Sequence, residues 1–240
     1  MARPNPGLLA EAGSPSTPGA VAGALAGERL LPVAPALESL FPRGGLRRGS
    51  TVAVTGSTSL ALAVLAGPSA AGSWCAAVGL PALGLVAAAE MGVVLDRLAM
   101  VPAPGPDWPA VVAALLDALD VVMVGVGGGQ RVRPADARRL VARARERGAV
   151  LLVVGGWDGA EVRLSVADPV SGQSGQSGQS GESGQPGQPG PGCQWVGLEA
   201  GHGHLRARRV EVVAEGRGVS SRPRRHRLWL PAEGGGVEPA

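Results

Sequence analysis

The sequence predicts an α/β protein in which a mostly parallel sheet is flanked by helices and antiparallel strands are added at the C-terminal side. Three observations carry that prediction. Between Gly49 and Ala89 no residue is charged, and Gly56, Gly67, Pro68, Gly72, Gly79, Pro81 and Gly84 cut the stretch into short pieces. Short apolar pieces between turn signals suit strands buried on both faces and the helices that cross between them. Up to Val154 such runs alternate with helical patterns, as a parallel sheet requires. After Trp157 the period changes to two, which suits hairpins added to one edge of the sheet.

The elements follow in order. Residues 1–30 are dominated by Pro, Gly, Ala and Ser and are expected to be a disordered leader. A single domain is expected over 31–231, and 232–240 is expected to be a disordered tail. Leu30-Leu31-Pro32-Val33 is an apolar lead-in. Leu37 to Phe41 reads as a short helix ended by Pro42, and Gly44, Gly45 and Gly49 mark turns. Thr51–Thr55 is a β-branched strand. Ser59–Ala66 is a helix closed by Gly67-Pro68. Trp74–Val78 is a strand, and Ala82–Met91 a helix stopped by Gly92. Leu98–Val101 is a third strand. Asp107 caps a helix that runs to Leu119, with Pro109 in its first turn, where a missing N–H costs little. Val121–Val124, the Arg-rich helix Pro134–Arg147 with Gly148 as its stop, and Ala149–Val154 complete the alternation. Val162, Leu164 and Val166 share one face of the next strand. Val210 and Val212 lie opposite Arg209 and Glu211, and Leu228 and Leu230 opposite Arg227 and Trp229. Within this region 171–192 is an S-G-Q repeat with almost no apolar residues, expected to be a flexible insertion.

Composition narrows the class. Phe41 is the lone Phe and there is no Tyr, so Ala, Val and Leu must build the core. Every basic side chain is Arg, and the net charge of +3 is mild, so only its distribution could point to nucleic acid. Cys75 and Cys193 are too few for a disulfide framework; Cys75 lies in an apolar run and reads as a buried thiol. With so few cysteines a reducing cytoplasm is expected; residues 1–20 lack the apolar core of a signal peptide, and the glycines and prolines interrupt any span of about 20 apolar residues.

A strand, a glycine turn and a helix early in such a chain invite a phosphate-loop reading. A working loop needs G-x-x-x-x-G-K-[ST], with backbone N–H groups around the phosphates, a Lys on their charge and a hydroxyl on Mg²⁺. Here the stretch is Val54-Thr55-Gly56-Ser57-Thr58-Ser59-Leu60. Gly56, Ser57, Thr58 and Ser59 form a degenerate loop that lacks the second Gly and the Lys. The strand Val121–Val124 ends in Gly125 where a metal-binding Asp is wanted, and Asp120 precedes that strand. No ATPase activity, no catalytic residue and no cofactor are expected.

These residues carry a resemblance. Arg48 to Gly56, Leu60-Ala61-Leu62 and Gly72 to Ala76 resemble the first strand, helix and second strand of RecA, and Met91 to Leu98 the segment after them. Leu119 to Val124 resembles the RecA Walker B strand. Val132 to Leu140, Gly201 to Arg209 and Arg222 to Arg225 resemble the actinobacterial ImuA-like proteins, RecA-like accessory factors of mutagenic translesion synthesis. The resemblance spans roughly 30–231 without the S-G-Q insert. It implies a RecA-like core, a role in DNA damage tolerance within the SOS response, and two partners in a translesion polymerase assembly: an ImuB-like inactive Y-family protein and a C-family error-prone polymerase. The chain departs from RecA at both phosphate and metal ligands. Gly79-Leu80-Pro81-Ala82 also stands where the catalytic Glu is expected.

Two further constellations have bland readings beside the functional ones. Arg131, Arg133, Arg138, Arg139, Arg143, Arg145 and Arg147 lie in or beside one helix, whose buried stripe is Ala137, Leu140, Val141 and Ala144. In the C-terminal quarter, Arg206, Arg208, Arg209, Arg222, Arg224 and Arg225 are the candidate contacts for DNA or a protein partner, with a solvated face as the bland alternative. The scarcity of aromatics argues against base stacking. His202, His204, His226 and Cys193 lack the companions of a metal site, and no G-x-S-x-G elbow is present. The expected function is therefore a non-enzymatic adaptor, with a nucleotide-binding switch and a sequence-independent DNA-binding protein as rivals.

Overall fold

A computed structural model describes residues 30–126, 132–166, 194–199, 202–216 and 223–240. The lead-in forms β1 (Leu30–Leu31), paired antiparallel with β2 (Leu46–Arg47) around the short helix α1 (Pro35–Glu38). The α/β core follows. Its parallel strands are β3 (Thr51–Thr55), β4 (Cys75–Val78), β5 (Leu98–Val101), β6 (Val121–Gly125), β7 (Val150–Val154) and β8 (Val162–Val166). They lie in the order β8-β3-β7-β6-β4-β5. On the β8 side the sheet continues with the antiparallel strands β10 (His202–Gly216), β11 (Arg224–Trp229) and β12 (Glu238–Pro239), and β9 (Gln194–Glu199) also pairs with β10.

Helices cover both faces of the parallel part. On one side α2 (Thr58–Ala70) and α3 (Leu85–Glu90) pack with Val52, Val54, Cys75 and Val121. On the other, α4 (Trp108–Ala118) and α5 (Pro134–Arg147) pack with Ala53, Ala76, Val122 and Leu151. Strands buried on both faces carry uninterrupted apolar residues, and β4 and β6 are buried at every position. In the antiparallel part Leu164, Val212, Ala214 and Leu228 join the α2-side core. Arg163, Glu211, Glu215, Arg225 and Arg227 share the opposite face by register. Period two in the sequence is thus a sheet with one side packed and one side polar.

The structure departs from the sequence reading at several points. Helix α2 does not close at Gly67-Pro68 but runs on to Ala70. Gly67 is there for close packing: a Cβ on it would come within 2.6 Å of the Val33 α-carbon. Pro68 removes one N–H near the last turn, and the chain is retied by Ala71 N–H donating to Gly67 O at 3.1 Å. Helix α3 is shorter than Ala82–Met91, beginning only after Gly84. Asp107 occupies the cap position of α4 but makes no side-chain capping bond. Residues 232–240 are not a disordered tail. Ala232 is buried, β12 pairs with β11, and Gly236 N–H donates to Glu90 O at 2.9 Å. This segment is held by backbone bonds and by Gly235, where a Cβ would meet Glu90 O at 2.6 Å, so its polar composition hides its order. Residues 1–29 of the expected leader and the S-G-Q segment 171–192 lie outside the described residues. Among the described residues no helix is long and apolar enough to cross a membrane.

Candidate functional site

The junction between β3 and α2 holds the four residues of the degenerate loop. Strand β3 ends at Thr55 and α2 starts at Thr58, so only Gly56 and Ser57 lie between them. Gly56 turns the chain with φ +80°, a conformation suited to glycine. Ser57 is the N-cap: its hydroxyl accepts a hydrogen bond from Leu60 N–H at 3.2 Å. Thr58 and Ser59 already belong to the first turn. A phosphate would need those N-terminal donors and a longer loop to wrap it; here the helix satisfies one of them with its own side chain.

The metal side of the site is closed as well. Gly125 ends β6, and a Cβ there would meet Leu80 Cδ2 at 2.5 Å and Gly79 O at 2.7 Å. The Gly79-Leu80 turn after β4 therefore fills the space that an Asp at position 125 would take. Asp120 serves a different purpose at the other end of β6. Its carboxylate accepts from Arg48 Nη1 at 2.9 Å and from Trp74 N–H at 3.0 Å, tying together three segments that lead into β3, β4 and β6. Arg97 adds a cation–π contact over the Trp74 ring, 5.6 Å from its centre.

The C-terminal arginines do not form one patch. Arg222 lies outside the described residues. Along β10, Arg208 and Arg209 are neighbours and so point to opposite faces, and Arg206 is exposed. Arg224 pairs in register with Ala214, on the core side, and its Nη1 donates to Ser39 O at 2.8 Å. Arg225 lies on the opposite face, paired with Glu211 at 2.8 Å, and Arg227 approaches the same carboxylate at 3.9 Å. Strand alternation thus divides a cluster that is dense in sequence, and Glu211 neutralises part of what remains. His202 and His204 fall on β10, and Cys193 lies outside the described residues. Among the described residues no three His, Cys, Asp or Glu side chains gather as a metal group.

Helix α5 gives a clearer surface. Arg143 grips Asp117 of α4 through two bonds of 2.6 and 2.7 Å and also reaches Glu146 at 2.9 Å; Arg147 joins Asp117 at 3.1 Å. Hydrogen bonding from Arg143 holds the Asp117 carboxyl below the ordinary carboxylate range. Another face of α5 forms a groove with the loop at 156–159. It comprises a cavity of about 540 Å³ at the start of the helix and a second of about 250 Å³ farther along, sharing Ala137, Arg138, Asp158 and Gly159. Trp157 lines the first; the residue is 5% exposed, and its indole Nε1 is buried without a hydrogen-bond partner among the described residues. Arg145 lines the second. The N-cap residue of α5, Arg133, makes no side-chain cap. The sequence reading named the arginines of this helix but missed the groove. Its other wall comes from the Gly155-to-Gly159 loop after β7, and glycines around one Trp were the available signal.

A family model described as the MT3502 N-terminal domain matches residues 39–159, half of the chain. It spans the Gly56 junction, Gly125, α5 and the groove, and stops before the C-terminal arginines. The uncharacterized protein Rv3395c of Mycobacterium tuberculosis is 46% identical over 129 residues, which are 52% of this chain and 63% of that relative. The match thus spans less than two thirds of the relative's length.

Proposed function

We propose that this chain, which belongs to the MT3502 N-terminal domain family, is a non-catalytic RecA-like accessory protein of the ImuA-like kind, acting through protein–protein contacts in mutagenic translesion synthesis. The observation that supports it best is the closed nucleotide site. Ser57 caps α2 within a shortened loop, and Leu80 with Gly79 fills the place of the metal-binding carboxylate. A fold without its phosphate and metal ligands retains its surfaces, and those remain able to hold partners. The division of the C-terminal arginines between two faces favours protein contacts over a continuous phosphate-tracking stripe. Such a protein would work in the cytoplasm, beside the nucleoid.

Two measurements test the reading. Isothermal titration with Mg-ATP should show no binding up to about 1 mM; a micromolar Kd would overturn it in favour of a nucleotide switch. A tagged copy recovered from cells after DNA damage should bring with it an ImuB-like Y-family protein and a C-family polymerase, identified by mass spectrometry. Recovery of neither would remove the translesion assignment.

A further inference from the structure

The five arginines of α5 are not equivalent. Arg143 pairs with Asp117 and Glu146, and Arg147 with Asp117. Arg138 and Arg145 face the groove instead. Arg138 uses its Nε on Pro134 O at 3.1 Å, and among the described residues no carboxylate pairs with either guanidinium. Seven positions apart on a helix, they stand about 10 Å apart along its axis. Ala137 and Val141 give the groove an apolar side. Among the described residues the α5 N-terminus has no side-chain cap. Two guanidinium groups without a carboxylate partner among the described residues, beside a helix start without a side-chain cap, favour negatively charged groups. Asp158 lines the same groove and offsets part of this charge, and the buried Trp157 presents no open ring for a nucleic-acid base.

We propose that this groove docks an acidic segment of a protein partner, a peptide that sets two carboxylates against Arg138 and Arg145 with an apolar side chain between them over Val141. In an extended polyproline-type peptide, residues three apart lie on one side and about 9 Å apart, which matches the spacing of the arginines. The inference rests on the reading of the chain as a protein that works through protein contacts, and it names the surface and the chemistry of the partner.

The probe is a random peptide library displayed on phage and panned on the full chain, with the enriched peptide then labelled for fluorescence anisotropy. Enriched peptides should carry two acids three residues apart around an apolar residue. Combining Arg138→Glu and Arg145→Glu should weaken binding at least about tenfold. Ala142→Trp, at an exposed position lining the second cavity, should obstruct the groove and weaken binding similarly. Arg139→Glu, on the same helix but off the groove, should leave affinity within about twofold. Thermal melts check that each variant is folded. The absence of an acidic consensus would overturn the proposal, as would affinity unchanged by both groove variants. An oligothymidine whose binding disappears in the Arg138/Arg145 variant would overturn it in favour of a nucleic-acid site. If groove variants still recover the polymerase assembly from damaged cells, the groove assignment falls and the adaptor reading stands. If peptide binding depends on the groove while the wild type recovers no such assembly, the translesion assignment falls and the groove stands.

Discussion

Helices α2 and α5 lie on opposite faces of one parallel sheet, each reached from the end of a strand, and they differ in nearly every other respect. In α2 nine of thirteen residues are buried, including Leu60 to Ala66 without a break, and Ser57 caps its start. In α5 three of fourteen are buried, five are arginines, and its start has no side-chain cap. A helix that is apolar all round is placed by burial from every side, whereas one with a single apolar stripe leaves most of its circumference to solvent or partners. The first turn of α2 has one of its donors taken by its own Ser57 cap, whereas the start of α5 has no side-chain cap and borders the groove.

The strongest test of that contrast is Cys75, which sits in the α2-side core with its thiol pushed up to about 12, first by burial and then by the charge of Asp120. In a Cys193→Ser background, native protein at pH 8 should react with iodoacetamide about a thousandfold or more slowly than protein unfolded in urea. At that pH an ordinary thiol is roughly one quarter ionised and this one about one part in ten thousand. Because the folded state raises the pKa, it favours the protonated thiol. Its contribution to stability is complete below about pH 8.5 and is lost as pH rises toward 12. Labelling at the rate of a free thiol would show that the α2 side opens readily, and the contrast with α5 would collapse.

The two helix starts give a second test through opposite signs. Ser57→Ala removes the hydroxyl that satisfies Leu60 N–H and should cost about 1 kcal/mol. Arg133→Ser supplies a capping hydroxyl to a helix that has none and should gain a few tenths to about 1 kcal/mol. Urea unfolding of both variants measures the pair. A loss in both would mean that α5 is already satisfied at its start, and the groove would lose one of its attractions for an anion.

Much of this was legible in the sequence. Strands Thr51–Thr55 and Leu98–Val101 and helix Pro134–Arg147 lie where apolar runs and glycine or proline boundaries put them. Gly148, read as a helix stop, has φ +68°. Local rules failed where distant contacts decide. Gly67-Pro68 reads as a stop, yet Val33 packs on the Gly67 surface and the helix continues. The polar stretch after Leu230 reads as a tail, yet backbone bonds to β11 and Glu90 hold it. At the nucleotide site the missing ligands were plain, but the closing of Gly125 by Leu80 joins positions far apart in the chain. The C-terminal arginines mislead for the opposite reason. Their density suggests a patch, while the alternation already visible between Arg208 and Arg209 sends neighbours to opposite faces. The groove depends on α5 meeting the 156–159 loop, a juxtaposition that periodicity does not reveal.

The smallest expected effect concerns the lock between α4 and α5. Asp117 accepts both Arg143 bonds and one from Arg147, so it fixes which arginines of α5 are spent and which remain free. All three side chains are partly exposed, and solvent screens such a cluster. Asp117→Asn should lower the melting temperature by about 1–2 °C at low salt and by less in 1 M NaCl. Since the folded state holds this carboxyl below its ordinary range, its contribution is present above about pH 4 and is lost as pH falls through the carboxylate range. The melting temperatures of wild type and variant should therefore converge in acid. Freed from Asp117, Arg143 and Arg147 would add positive charge beside the groove. Peptide affinity in the variant should thus rise slightly or stay level, by no more than about twofold. A clear fall in affinity would mean that the α4–α5 lock also sets the shape of the groove, so that its arginines are positioned by packing as well as left free by charge.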